Sequence, residues 1–169
     1  MSARPQTREH ADLTGTLILV DDDQLAGCTM RRLLQRAFPS LDVRMATDGD
    51  AALELLDQDV VCIVSDIDMP VRDGIELAWA IRNAAPYGPW RQLPIILVSA
   101  ACRDEELIER AWGLGIAHIV RKPFSADEIE RAVVQATTWV RRRPLEGARA
   151  DTRALPPAPP AARRRVSFG

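Results

Sequence analysis

Apolar runs that each end on a polar side chain punctuate this chain. Thr16 to Val20 (TLILV) leads into Asp21-Asp22-Asp23, Val60 to Ser65 (VVCIVS) into Asp66, and Pro94 to Val98 (PIILV) into Ser99. Ala117 to Val120 leads into Arg121-Lys122-Pro123-Phe124, and a shorter stretch, Leu41 to Ala46, alternates apolar and polar. Unbroken runs of Val, Ile and Leu bounded by turn residues predict strands covered on both faces, the kind found in parallel α/β sheets.

Helical periodicity fills the intervals. From Gln24 to Phe38 the positions Leu25, Cys28, Leu33, Leu34, Ala37 and Phe38 fall roughly on one face, with Asp23 as N-cap and Pro39 as terminator. Thr47-Asp48-Gly49 caps a helix from Asp50 to Asp57, and Gly74 to Ala84 places Ile75, Leu77, Ala78 and Ile81 inward. Ala85 to Leu93 is dense in Pro and Gly and reads as a loop that carries Tyr87 and Trp90 at the surface, where they would meet a partner. A helix over Arg103 to Leu114 stops at Gly115. Ser125-Ala126-Asp127-Glu128 is a capping box opening the last helix, with Ile129, Ala132, Val133, Ala136 and Val140 at helical spacing. Five strands alternating with five helices through short connections predict a doubly wound parallel sheet with helices on both faces.

With 169 residues the chain has room for one domain with a proper core. Its 22 basic and 24 acidic residues give no global charge argument for nucleic acid, but the distribution is lopsided. Residues 141–169 hold eight Arg against Glu146 and Asp151, a net of +6, which leaves -8 for residues 1–140. Residues 1–14 read as a flexible leader and the Pro- and Arg-rich stretch 142–169 as a disordered tail. Cys28, Cys62 and Cys102 show no metal-ligand spacing and read as small core residues in a reducing compartment. No run approaches a membrane span and the N-terminus has no signal-like apolar region, so a cytoplasmic location is expected.

Lys122 is the one lysine among the 22 basic residues. In a chain that otherwise uses Arg for positive charge, this lysine marks a place needing a compact ammonium on a flexible stem. If the strands are parallel, their carboxyl ends share one rim, and open α/β sheets place their chemistry there. That rim would bring together Asp21, Asp22, Asp66, Ser99 and Lys122, a set suited to a phosphate and a divalent metal.

The ordered appearance of Asp21-Asp22, the Asp66-Ile67-Asp68-Met69-Pro70 segment, Ser99-Ala100 and Lys122-Pro123-Phe124 resembles the receiver domain of two-component response regulators, the CheY-like family. The resemblance covers roughly residues 15–141 and implies a flavodoxin-like sheet of order 2-1-3-4-5 with five helices. It implies Asp66 as the phosphoacceptor, with Mg²⁺ held by Asp21, Asp22, Asp66 and the backbone carbonyl of Asp68. Ser99 would be the switch hydroxyl and Lys122 the phosphate-binding cation. Three carboxylates within ~5 Å repel one another by about 3 kcal/mol per pair at an effective dielectric near 20, so a cation is needed. Mg²⁺ and Lys122 would neutralise the three acids, and Mg²⁺ favours such an oxygen-only ligand set.

The expected partners are a sensor histidine kinase or a histidine phosphotransfer protein and a downstream protein target. Neither a membrane nor nucleic acid is expected, and a homodimer would use the face of the fourth helix, fifth strand and fifth helix. Such a protein catalyses only its own phosphorylation and dephosphorylation, and no output domain is expected after the last helix. Ile119 occupies the position that is usually Tyr or Phe in the family. Being β-branched, it is stiff at χ1 and cannot make the aromatic swing that couples Ser99 to the output face. A degenerate receiver that binds without phosphorylation is therefore an alternative. A haloacid-dehalogenase-like phosphatase is another, since Asp66-Ile67-Asp68 fits its nucleophile loop, although the acid cluster here lies upstream on the first strand.

Overall fold

The computed structural model describes residues 13–100 and 104–141. The expectations for the leader, the tail, Cys102 and Arg103 fall wholly or mostly outside these residues. The elements are β1 (Gly15–Val20), α1 (Gln24–Ala37), β2 (Leu41–Ala46), α2 (Gly49–Glu54), β3 (Val60–Asp66) and α3 (Gly74–Asn83). They continue with β4 (Ile95–Ser99), α4 (Glu105–Gly113), β5 (His118–Arg121) and α5 (Ala126–Arg141). The five strands form one parallel sheet in the order β2-β1-β3-β4-β5. This is the flavodoxin-like order, and it reverses direction at β1 and β3.

Each central strand buries both of its faces, which is why its sequence reads as a continuous apolar run. Leu17, Leu19, Cys62, Val64, Ile96 and Val98 point into a core closed by α1 and α5 through Met30, Leu34, Ile129 and Val133. Their neighbours Ile18, Val20, Ile63, Ile95 and Leu97 point the other way, onto α2, α3 and α4 through Ala52, Leu77, Ile81 and Ala111. Leu13, ahead of β1, is already buried in the first of these cores.

Local signals end the elements where the chain must turn. Asp23, Asp48, Asp73 and Asp104 each cap the following helix by accepting backbone N–H bonds. Ser125 and Glu128 form the reciprocal capping box at α5: the Ser125 N–H donates to Glu128 and the Glu128 N–H to the Ser125 hydroxyl. Gly115 takes φ +66° just past α4, the left-handed conformation that favours glycine at a helix end.

The structure corrects the sequence reading at several points. Leu25 and Cys28 face solvent, Leu25 with 79% exposure, and the buried line of α1 is Gly27, Met30 and Leu34. Residues Ala85–Trp90 are not an open loop but a 3-10 turn. Trp90 in that turn is half-buried against the α3-side core and its indole N–H donates to the Asp57 carbonyl at 2.9 Å. It packs against that core rather than projecting outward. Cys62 behaves as expected: it is fully buried, and burial pushes its thiol up to about 12.

Candidate functional site

Parallel pairing puts the carboxyl ends of β1, β3, β4 and β5 on one rim. β1 stops at Val20, so Asp21 and Asp22 follow at its end, and Asp66 is the last residue of β3, in register with Val98 of β4. Carboxylate oxygens of Asp21, Asp22 and Asp66 lie within 4.8 Å of one another. The Lys122 ammonium donates to Asp66 Oδ2 at 2.6 Å, across a sequence separation of 56 residues. The second Asp66 oxygen accepts from the Ile67 N–H at 2.8 Å. Both oxygens are thus held in place.

Asp21 is buried, with 4% exposure, while Asp22 is exposed and Asp66 half-buried. Burial raises the Asp21 pKa above the ordinary carboxylate value; the Asp23 N–H, donating at 2.9 Å, and Lys122 work against it, and the charges of Asp66 and Asp22 add to it. For Lys122, burial favours loss of the proton, but the hydrogen bond and charge of Asp66, with Asp21 and Asp22, outweigh it and raise its pKa. The site therefore carries three acids against one ammonium. The donors are hard oxygens, one of them on a desolvated side chain, which is the chemistry that suits Mg²⁺.

Ser99 is fully buried at the end of β4, paired in register with Arg121, and its carbonyl accepts from the Lys122 N–H at 2.8 Å. Lys122 and Ser99 are thereby joined through the backbone. Asp68 lies two residues beyond Asp66 in the β3–α3 loop with its side chain exposed. Ile119 is half-buried against the α3-side core, paired with Leu97, and His118 is half-buried beside Ile96.

The β3–α3 loop is pinned by groups the sequence did not single out. The Arg72 guanidinium meets Asp50 of α2 at 2.5 Å, and the Arg72 carbonyl accepts from the Gly49 N–H at 3.1 Å. Gly74 starts α3 against the Asp66 carbonyl oxygen, so close that a Cβ there would collide with it. A Gly after an Asp in the Arg72-Asp73-Gly74 turn was visible in the sequence, but its contact with Asp66 was not. Immediately before these anchors Val71 takes φ 67°, a left-handed conformation costly for a β-branched residue.

Residues 17–134 match the response regulator receiver domain family. Transcriptional regulatory protein CpxR of Escherichia coli strain K12 is 32% identical over 128 residues, which are 73% of this chain and 50% of CpxR. A probable chemotaxis protein CheY of Rhizobium etli is 29% identical over 120 residues, 69% of this chain and 88% of that protein. The receiver domain of the Francisella response regulator 1452 superposes with a TM-score of 0.63 at 27% identity, covering 75% of this chain and 99% of that one. This chain belongs to the response regulator receiver-domain family of two-component signalling. It spans about half the length of CpxR. Among the described residues no helix is long and apolar enough to cross a membrane.

Proposed function

We propose that Asp66 accepts a phosphoryl group from a phosphohistidine on a sensor histidine kinase or histidine phosphotransfer protein. The observation that carries this reading is the convergence of Asp21, Asp22 and Asp66 with Lys122 2.6 Å from Asp66 Oδ2. In the transfer, an Asp66 oxygen forms the new bond to phosphorus as the donor's phosphorus–nitrogen bond breaks, and the imidazole leaves with the bonding electron pair. Lys122, already at the carboxylate, shifts its ammonium onto the phosphoryl oxygens and stabilises the charge they carry. Ile67 N–H holds the other Asp66 oxygen and fixes the attacking orientation. Asp21 and Asp22, with Asp66 and the Asp68 carbonyl, would hold Mg²⁺. When bound, Mg²⁺ supplies the positive charge that lets an anionic donor approach a triply acidic rim.

Phosphorylation adds negative charge and acceptor oxygens at the end of β3. Ser99, at the end of the neighbouring strand, is the hydroxyl that donates to them. Movement at Ser99 would then reach α4, β5 and α5, the face read as contacting the downstream protein or a second copy. One observation favours a second reading, a receiver that binds its partner without phosphorylation. Ile119 is packed against the core and has no aromatic ring to move.

The test is incubation with Mg²⁺ and acetyl phosphate, followed by intact mass measurement. A mass gain of one phosphoryl group that disappears in Asp66→Ala and on removal of Mg²⁺ is the expected result. Absence of Mg²⁺ and beryllium fluoride binding, together with no phosphoryl gain, would overturn the first reading and favour the second, and turnover of many phosphate esters without a persistent aspartyl phosphate would point to the phosphatase class instead.

A further inference from the structure

At the end of the sheet opposite Asp66, a groove of about 730 Å³ opens where α3 ends, β4 and β5 begin and α5 passes. Its polar lining is Arg82, Asn83, Arg91, Gln92, His118 and Gln135, and no Asp or Glu contributes to it. Arg82 has an unusual setting. Its guanidinium donates to the carbonyls of Leu114 at 3.0 Å and Leu93 at 2.9 Å, with a longer contact to Gly115 at 3.4 Å. Its Nη1 is buried without any hydrogen-bond partner. Burial pulls the Arg82 pKa down to about 10, as befits a cation answered by carbonyl dipoles alone. Among the described residues no carboxylate forms an ion pair with Arg82 or with the exposed Arg91.

A chain whose residues 1–140 carry a net charge of -8 thus gathers two guanidiniums, an imidazole and three amide side chains around one recess free of acids. Leu93 and Ile116 give the same recess apolar wall. A concave, largely apolar site with a few convergent donors and this volume fits a small organic ligand. We propose that this groove binds a small anion, a carboxylate or phosphate group on an apolar body. Arg91 and the buried charge of Arg82 attract the anionic group, His118 and the amides donate hydrogen bonds, and the apolar body lies on Leu93 and Ile116. Charge-assisted bonds from a planar guanidinium suit both anions.

The experiment is an NMR titration of the full chain, without Mg²⁺ and at constant ionic strength, with benzoate in one series and phenyl phosphate in another. Saturable shifts at the Gly115, His118 and Ala136 amides are expected, and whichever probe saturates first assigns the anion class. Arg91→Ala combined with His118→Ala should weaken that binding at least about tenfold, because two donors to an anion are lost. Asp66→Asn should leave it unchanged. These substitutions avoid Arg82, whose loss would disturb the fold. Linear shifts with both probes, shifts confined to the neighbourhood of Asp66 and Lys122, or equal affinity in the Arg91/His118 variant would each overturn the proposal.

Discussion

At the carboxyl end of the sheet, Asp21, Asp22 and Asp66 crowd together and a single ammonium, Lys122, answers them. At the amino end, Arg82 is drawn inward and answered only by the carbonyls of Leu93, Leu114 and Gly115. The carboxyl end is negative and holds its charges in a cluster suited to a cation. The amino end is positive, and its charge also ties structure together, since the carbonyls it engages are those at the end of α4 and before β4. In a parallel sheet both rims are places where strands give way to loops, so both can bury charge without breaking the ladder. The difference lies in what balances it: side-chain charge at one end, backbone dipoles at the other.

Four substitutions sharpen that contrast. The largest effect is expected from Gly74→Ala at the acidic end, where the new methyl group meets the Asp66 carbonyl oxygen and, at 3.1 Å, the Ile67 Cα. Backbone cannot yield as a side chain would, so a loss of about 3 kcal/mol in urea unfolding is expected, together with slowed phosphoryl gain. At the basic end, Arg82→Met keeps the apolar stem but leaves the half-buried carbonyls of Leu93 and Leu114 short of a donor. A loss of about 2 kcal/mol in the same measurement is expected, and an unchanged midpoint would show that those bonds are not structural.

Asp21→Asn tests the acidic cluster in the reverse sense. Because burial raises the Asp21 pKa above 3.8, the folded state holds its proton more tightly than the unfolded chain. That contribution to stability grows as pH falls through the raised value and is absent at neutral pH, where the desolvated charge is a cost. The metal-free variant should therefore be more stable than the parent at pH 7, by about 1 kcal/mol, with the gap closing as pH is lowered towards 4. Its Mg²⁺ affinity, read by calorimetry, should fall. Glu128 contributes the opposite slope. Hydrogen bonds from Ser125 hold its pKa below 4.5, so that contribution is present above 4.5 and is lost as pH falls through the lowered value. The comparison must therefore be made between parent and variant at each pH. Smallest is Val71→Asn: at φ 67° and 70% exposure, little packing is lost and strain is relieved, for a gain of up to about 1 kcal/mol.

The strands were legible because burial on both faces leaves no room for alternation, and the apolar runs could be read directly. Capping residues such as Asp23 and Ser125 were legible because their bonds are local. The inward face of α1 was not. Leu25 and Cys28 share the helical spacing of a core stripe, yet the helix is rolled so that Gly27 lies against the sheet, where a Cβ would come within 2.8 Å of the Met45 methyl and 3.5 Å of Asp21 Cβ. Hydropathy cannot see a glycine chosen for closeness. Arg82 had a readable signal that its charge concealed: it follows Ile75 and Ala78 at inward helical spacing, and its place on the buried stripe was a matter of position rather than residue type.

What the sequence alone determined is the succession of strands and helices, the family motifs, and which side chains end each strand, since these depend on neighbours a few residues away. Tertiary structure decided which strand ends meet and at what distance, how α1 is rolled, how Arg72 pins the β3–α3 loop to α2, and that a guanidinium lies buried at the opposite rim. Those outcomes depend on how separately formed surfaces fit together, and fit is a property of shapes in contact that no local stretch of chain contains.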